Sequence, residues 1–323
     1  MDTFLSCDWG TSTFRLRLVQ TNDQIVRAII QFPQGVAQTA TAWQQTDGAI
    51  SRQVYYTDFL NRQIHTLEQQ LGHSLAGVPV VLSGMASSSI GLMELPYKEL
   101  PFCIDGADLE LRSVSNGRNP ILLISGACTA TDVMRGEETK IVGIADALPA
   151  GGQELLLLLP GTHPKHIQIR NGKAVSFQTF MTGEFFALLS RNSILSGSVT
   201  AGGDLTDPAN RDCFINAVQQ SRTTPLLHHA FRVRTNQLLK KMPPEQNYHY
   251  LSGLLIGEEL STVKPTVPVY LLGGAAHLPL YLQACKALGI QVTVLPDADE
   301  ALITGQHKLL LKNKSEIVPI AQL

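Results

Sequence analysis

The chain lacks a charge bias. Its 323 residues carry 25 Lys and Arg against 27 Asp and Glu, a net charge of −2, so no basic surface for nucleic acid is expected. It also lacks a long apolar run, and nothing approaches the ~20 residues a membrane span needs. The opening MDTFLSCDWG has no basic n-region and no small-residue cleavage site, which predicts no signal peptide and a cytoplasmic location. Cysteine is sparse: Cys7, Cys103, Cys128, Cys213 and Cys285 are scattered and form no CxxC pair. That argues against a zinc site or a disulfide framework and for free thiols in a reducing compartment. Apolar residues are abundant, 44 % against 16 % charged. This is the composition of a well-buried globular chain, long enough for two ordinary domains.

Phe14, Leu16 and Leu18 alternate with Thr13, Arg15 and Arg17, which predicts a half-buried strand. A short strand precedes it, QTND reads as a turn, and QIVRAII as a third strand. Tyr56, Phe59, Leu60, Ile64, Leu67 and Leu71 recur at helical spacing, with Gly72 as the stop. VPVVLSGM and NPILLISG read as buried strands. The segment 86–118 between them, with Pro96 and Pro101, reads as irregular and is expected to cover a site. ELLLLLPGTHPKHIQIRNGKAVSF (154–177) then repeats the opening. It has a buried strand, a polar stretch at Gly161-Thr162, a strand with Ile167 and Ile169 on one face, a tight Asn171-Gly172 turn and another strand. With Gly10-Thr11 laid on Gly161-Thr162, Leu16 and Leu18 fall on Ile167 and Ile169 without a gap. The same strand–loop–strand–turn–strand unit is therefore expected twice. After it come a helix that Thr182 could cap, two helices between Pro208 and Lys241, and a helix in QNYHYLSGLLIGEELSTV. A strand, a Gly-Gly-Ala-Ala turn, a helix and a strand follow, and DADEALITGQHKLLLK closes as a helix.

The stretch CDWGTST, residues 7–13, puts a carboxylate, a glycine and hydroxyls where a plain turn would need none of them. Loops between antiparallel strands present backbone N–H groups and hydroxyls, the groups that cradle phosphate oxygens. Gly273-Gly274-Ala275-Ala276 lies between a strand and a helix start. Small residues there admit a ligand to the backbone, and the helix N-terminus favours anions. Three such loops in this order, two of them on a repeated unit, point to a triphosphate held across a cleft between two domains. The domains are read as residues 1–148 and 149–323, with the last helix able to pack back on the first.

DWGTSTFR (8–15), VMRGEETKIVG (133–143), PGTHPKH (160–166), FMTGEFFALL (180–189) and LSGLLIGEEL (251–260) run in order over nearly the whole chain. Together they resemble the 2-dehydro-3-deoxygalactonokinase family of the actin, Hsp70 and sugar-kinase superfamily; His166 stands where the family motif has Trp. The resemblance implies a two-lobed, actin-like ATPase (ribonuclease H-like) α/β fold, each lobe a mixed five-stranded sheet flanked by helices. It implies ATP-dependent phosphorylation of the 6-hydroxyl of 2-dehydro-3-deoxy-D-galactonate with Mg2+, lobe closure during the cycle, and compatibility with a homodimer. ATP and a small sugar acid would be the partners, with no nucleic acid and no membrane.

The same resemblance assigns roles. Asp8 would serve catalysis by holding the magnesium, directly or through water. Gly10, Thr11 and Ser12 would approach the γ-phosphate, with Arg15 reaching the same charge or lying solvated on its strand. Gly161, Thr162 and His163 would form a second phosphate clamp, Lys165 is expected at the surface, and Gly273, Gly274 and Ala275 would meet the adenosine. The base must be a carboxylate in line with the γ-phosphoryl; Glu137 or Glu138 is the candidate and Asp132 the rival. Arg135 would keep it ionised or bind the substrate carboxylate as a fork. Ser83, Gly84, Met85 and Ser87, with Thr182, would meet the sugar acid. Plainer readings stay open beside these: a turn-forming Asp8, a glutamate pair favoured by a helix dipole, a serine-rich loop. Other functions also stay open: a kinase of a related 2-keto-3-deoxy sugar acid, a phosphatase-like member, or a sugar-sensing regulator. The first strand, beginning by residue 3, leaves no room for a regulator's helix-turn-helix.

Overall fold

The structure, a computed structural model, describes residues 2–115, 117–149, 152–264 and 266–314. Alternating apolar residues bounded by turns give β1 (Thr3–Trp9), β2 (Phe14–Gln20) and β3 (Val26–Phe32), followed by α1 (Val36–Gln44) and α2 (Arg52–Leu71). Next come β4 (Val80–Gly84), the short β5 (Lys98–Glu99) and β6 (Phe102–Cys103), β7 (Leu111–Ser115), β8 (Pro120–Ile124), the short β9 (Ala127–Cys128) and β10 (Val133–Met134), and α3 (Glu137–Ile144). The second half holds β11 (Leu155–Leu159), β12 (Lys165–Arg170), β13 (Lys173–Thr179), α4 (Thr182–Asn192), α5 (Pro208–Gln220), α6 (Leu226–Leu238) and α7 (Pro244–Leu260). It ends with β14 (Val269–Leu271), α8 (Leu278–Leu288), β15 (Val292–Val294) and α9 (Ala298–Lys312).

The chain forms two compact units. The first takes the described residues before 150, Gly172–Val175 and those from Ala298 onward; the second takes Gly152–Asn171 and Ser176–Asp297. In the first unit the main sheet runs β3-β2-β1-β4-β8-β7. Strand β1 pairs antiparallel with β2, Asp8 opposite Arg15, and parallel with β4, Asp8 beside Ser83. One face carries Leu5, Cys7, Trp9, Phe14 and Leu16 against Tyr56, Phe59, Leu60 and Ile64 of α2. The Trp9 ring lies 5.0 Å from Phe59, nearly parallel, and 5.1 Å from Phe14, edge-on. Truncating so buried a ring typically costs about 3–5 kcal/mol. Ser51 caps α2 by accepting from the Val54 N–H, and Gly72 closes the helix with φ 74°. Helices α3 and α9 cross at glycines: a Cβ on Gly143 would lie 1.8 Å from the Ala301 carbonyl oxygen, and one on Gly305 1.9 Å from that of Thr139.

In the second unit the order is β15-β14-β11-β12-β13. Strand β11 is antiparallel to β12 and parallel to β14, and β14 is parallel to β15. This is the order and direction of β8-β4-β1-β2-β3, so the repeated unit expected from the sequence extends to a whole mixed sheet. Asn171 and Gly172 take φ 53° and 68°, as a two-residue hairpin turn demands. Leu158, Val269, Leu271, Phe214, Val218, Ile256 and Tyr281 form the core between sheet and helices.

The sequence did not announce α1 or β7. Helix α1 buries only Val36, Thr39 and Ala40 and begins at Gly35 without a side-chain cap of its own. The segment read as irregular contains β7, antiparallel to β8, and β5, which joins a small sheet with β9 and β10.

Candidate functional site

The first loop is a tight connection. The Gly10 N–H donates to the Thr13 carbonyl at 2.9 Å. The Gly10 and Thr11 carbonyls are taken by the first amides of α1, Val36 N–H at 2.9 Å and Ala37 N–H at 3.1 Å. Helix starts have free amides to give, and here they give them to the loop. The approach requires glycine at position 35, where a Cβ would stand 2.3 Å from the Thr11 oxygen. Thr11 and Ser12 remain exposed.

Behind this loop the polar face of the sheet is braced by α9. Asp299 takes the Arg15 guanidinium at 3.2 Å and that of the buried Arg17 at 2.9 Å; Arg15 also stands 3.8 Å from the Asp8 carboxylate. Gln306 donates to the Cys7 carbonyl at 2.9 Å and to the Ser83 hydroxyl at 2.7 Å.

Next to it lie the end of β4 and the segment after it. Ser83 and Ser87 are buried and Met85 half-buried. Arg135 donates to the Ser87 carbonyl and hydroxyl, both at 2.6 Å, and its guanidinium lies 4.1 Å from the Tyr97 ring centroid. Gly136, with φ 111°, precedes α3. The Glu137 carboxylate accepts the Arg135 N–H at 3.0 Å and stays half-buried. Glu138 is fully buried, and both its oxygens accept the Gly136 N–H, at 2.8 and 2.9 Å. Burial, with the neighbouring Glu137 charge, pushes the Glu138 carboxyl up to about 8.

The second loop repeats the first. Glu184 N–H donates to the Thr162 carbonyl at 3.1 Å, and a Cβ on Gly183 would lie 2.7 Å from the Gly161 oxygen. Gly183 in α4 thus plays the part of Gly35 at α1. His163 is exposed and pairs with Glu184. Lys165, expected at the surface, is buried, its ammonium donating to the His163 carbonyl at 2.8 Å; the cation braces the loop from within. Thr182, expected as a cap, is the first helical residue, and its hydroxyl donates to Glu259 at 2.5 Å. A cavity of about 280 Å3 opens here. Gly161, Thr162, Thr182 and Gly183 border it on one side, Ala276 and His277 on another, with Phe186, Tyr248, His249 and Arg191 around the rest.

The structure thus brings Asp8, Gly10, Thr11, Ser12, Arg15, Ser83, Gly84, Met85, Ser87, Arg135, Glu137 and Glu138 into one unit. Gly161, Thr162, His163, Thr182, Gly273, Gly274 and Ala275 lie in the other. The cavity reaches the glycine turn after β14 through Ala276 and His277 rather than through Gly273–Ala275. Sequence reasoning missed Gly35, Gly183, Glu259, Asp299 and Gln306. Extending the repeat one helix further would have paired Gly35 with Gly183, since each follows the third strand of its copy. The acids and the glutamine bind partners far away in the chain and leave no local signal.

A mixed sheet built twice in one order, each copy ending its first strand in a glycine-threonine loop capped by a later helix, defines the actin-like ATPase fold. Within that fold, the chain belongs to the 2-keto-3-deoxy-galactonokinase family (DGOK), which it matches over residues 8–309. It is similar to the 2-dehydro-3-deoxygalactonokinase of Escherichia coli (strain K12), 34 % identical over 67 % of this chain and 73 % of the relative. It is similar also to DgoK1 of Rhizobium meliloti (strain 1021), named a probable 2-dehydro-3-deoxygalactonokinase, 31 % identical over 94 % of each chain. A crystal structure from Sinorhizobium meliloti, provisionally given the same enzyme name, superposes with a TM-score of 0.80 at 29 % identity, covering 95 % of this chain and 96 % of that one. The protein is therefore a sugar kinase, with ATP as its co-substrate. No helix among the described residues is long and apolar enough to cross a membrane.

Proposed function

We propose that this enzyme transfers the γ-phosphoryl group of ATP to the 6-hydroxyl of 2-dehydro-3-deoxy-D-galactonate, in the cytoplasm, yielding the 6-phosphate and ADP. The supporting observation is the loop made twice: in each copy a following helix takes the threonine carbonyl of the loop, and Thr11, Ser12 and Thr162 stay exposed with hydroxyls to offer a ligand. In this reading Gly10, Thr11 and Ser12, and likewise Gly161 and Thr162, hold nucleotide phosphates, with Arg15 and His163 adding polar contacts. The cavity of the second unit takes the nucleoside against the edge-to-face pair of Phe186 and Tyr248 on one side and the backbone that begins at Gly273, Gly274 and Ala275 on the other.

Asp8 suits magnesium. Its carboxylate is partly open and 3.8 Å from the Arg15 nitrogen, too far for a hydrogen bond, and this ion is commonly held by one or two carboxylates plus substrate phosphates. Among the described residues no cluster of three or more His, Cys, Asp and Glu could hold a metal alone, which suits an ion that arrives with its nucleotide. When bound, it would offset charge on the phosphate oxygens.

Glu137 is the base in this reading. Glu138 is closed off and bonded to the Gly136 amide, whereas Glu137 is half open at the start of α3. The Glu137 carboxylate takes the proton of the sugar's O6 as that oxygen bonds to the γ-phosphorus and the bond to the ADP oxygen breaks. Arg135, committed to Ser87, sets the path of Gly84 to Ser87 beside the sugar acid. A coupled assay with the keto-deoxy sugar acid and Mg-ATP tests the proposal. Glu137→Gln should lose about a hundredfold or more in kcat while ADP still binds. Full kcat in that variant would move the base to Asp132. No ADP release by the wild type above an ATP-only blank would defeat the proposed reaction.

A further inference from the structure

One carboxylate lies under the cavity and outside every role given so far. Glu259, near the end of α7, has a side chain only 1 % exposed. One oxygen accepts from His166 Nε2 at 3.0 Å; the other accepts the Thr182 hydroxyl at 2.5 Å and the Tyr281 hydroxyl at 2.6 Å. These three donors sit on three different elements. His166 is on β12, just past the second loop, its ring 4.4 Å from Phe180. Thr182 opens α4, the helix whose next two residues press on Gly161 and Thr162. Tyr281 is on α8, one turn after His277, whose carbonyl takes the Tyr281 N–H at 3.1 Å. Thr182 and Tyr281 both line the cavity. Burial, reinforced by the Glu259 charge, keeps the Tyr281 phenol protonated well above its ordinary range, as a donor to this carboxylate must be.

We propose that Glu259 is a positioning residue for the nucleotide: a single acceptor that fixes the second phosphate loop, the start of α4 and the start of α8 in one arrangement around the cavity. The inference rests on the reading of that cavity as the nucleotide site. An ionised carboxylate has about four lone-pair sites and can satisfy three donors. Glutamine of the same shape keeps all three only by turning its NH2 to His166 with the ring proton on Nδ1, and its neutral oxygen then holds the Thr182 and Tyr281 hydroxyls more weakly than a carboxylate does, so the ties to α4 and α8 loosen. Thr182 also spends its proton on Glu259 and can offer a ligand only a lone pair.

The test compares wild type, Glu259→Gln, Tyr281→Phe and Ala276→Trp, the last designed to fill the cavity. ADP affinity is measured by calorimetry, KM for ATP and for the sugar acid by coupled assay, and folding by thermal melting. Glu259→Gln should weaken ADP and raise the KM for ATP by about tenfold, the loss of charge assistance at the Thr182 and Tyr281 bonds, with the KM for the sugar acid unchanged. Tyr281→Phe, which removes one tie and leaves the carboxylate two donors, should weaken ADP less and in the same direction. It carries the test alone if Glu259→Gln does not fold. Wild-type ADP affinity in Glu259→Gln, or in Tyr281→Phe where that variant stands alone, overturns the inference. So does an equal rise in both KM values, the mark of general loosening. Wild-type ADP affinity in Ala276→Trp instead overturns the reading of the cavity on which the inference rests.

Discussion

The buried acid Glu138 should make the first unit lose stability as pH rises. Unfolded, its carboxyl titrates at the ordinary 4.5; folded, burial and the adjacent Glu137 push it up to about 8. Below pH 4.5 both states hold the proton and nothing is lost. Between 4.5 and 8 the unfolded chain releases the proton while the folded one keeps it, so each increment of pH favours unfolding, and the loss levels off above 8. A rise from 4.5 to about 8, at about 1.4 kcal/mol per pH unit, sets an upper bound of about 5 kcal/mol. Relaxation and polarisability around the Gly136 amide and the Thr139 hydroxyl bring the expected effect nearer about 2 kcal/mol. Glu138→Gln keeps the size and one acceptor for Gly136 but cannot ionise. Both tryptophans, Trp9 and Trp43, lie in the first unit, so their fluorescence during urea unfolding reports that unit. The variant should gain on the wild type by about 2 kcal/mol between about pH 5 and about pH 8.5. A difference between the two proteins that stays constant over that range would refute the reasoning.

Two further perturbations probe the loops and the sugar side. Gly35→Ala and Gly183→Ala place a methyl 2.3 Å and 2.7 Å from loop oxygens; each should cost about 1–3 kcal/mol in denaturant titration and raise the KM for ATP, and unchanged ATP kinetics in both would count against two phosphate cradles. Arg135→Lys removes the flat guanidinium that reaches Ser87 through one nitrogen and Leu95 through the other while lying over Tyr97, so the KM for the sugar acid should rise by about tenfold and the KM for ATP much less, measured with each substrate in turn.

The parts of the fold written in local chemistry could be read directly. Alternation at Phe14, Leu16 and Leu18, the Asn171-Gly172 turn and the register linking Gly10 to Gly161 gave the strands and their duplication before any coordinates. What escaped had its cause elsewhere in the chain. Lys165 looks like a surface residue until the His163 carbonyl is placed beside it, and nothing near His166 in the chain names Glu259 as its partner. Helix α1 has a weak apolar stripe and is held by carbonyls of the first loop rather than by its own composition. In the site, the glycine loops and the MRGEET motif were visible as residue types. Which glutamate is open and which is sealed depends on the backbone at Gly136, where φ 111° turns the chain, and no spacing rule encodes that.

The return of α9 to the first unit bears on how the protein is made. A ribosome delivers Arg15, Arg17, Cys7 and Ser83 long before Asp299 and Gln306, which meet them. Until then a nascent chain holds a guanidinium at Arg17 that has no acid to meet in α9. Early domains usually complete folding during synthesis; this one must wait, and a fragment ending at Asp297 should remain a client of chaperones.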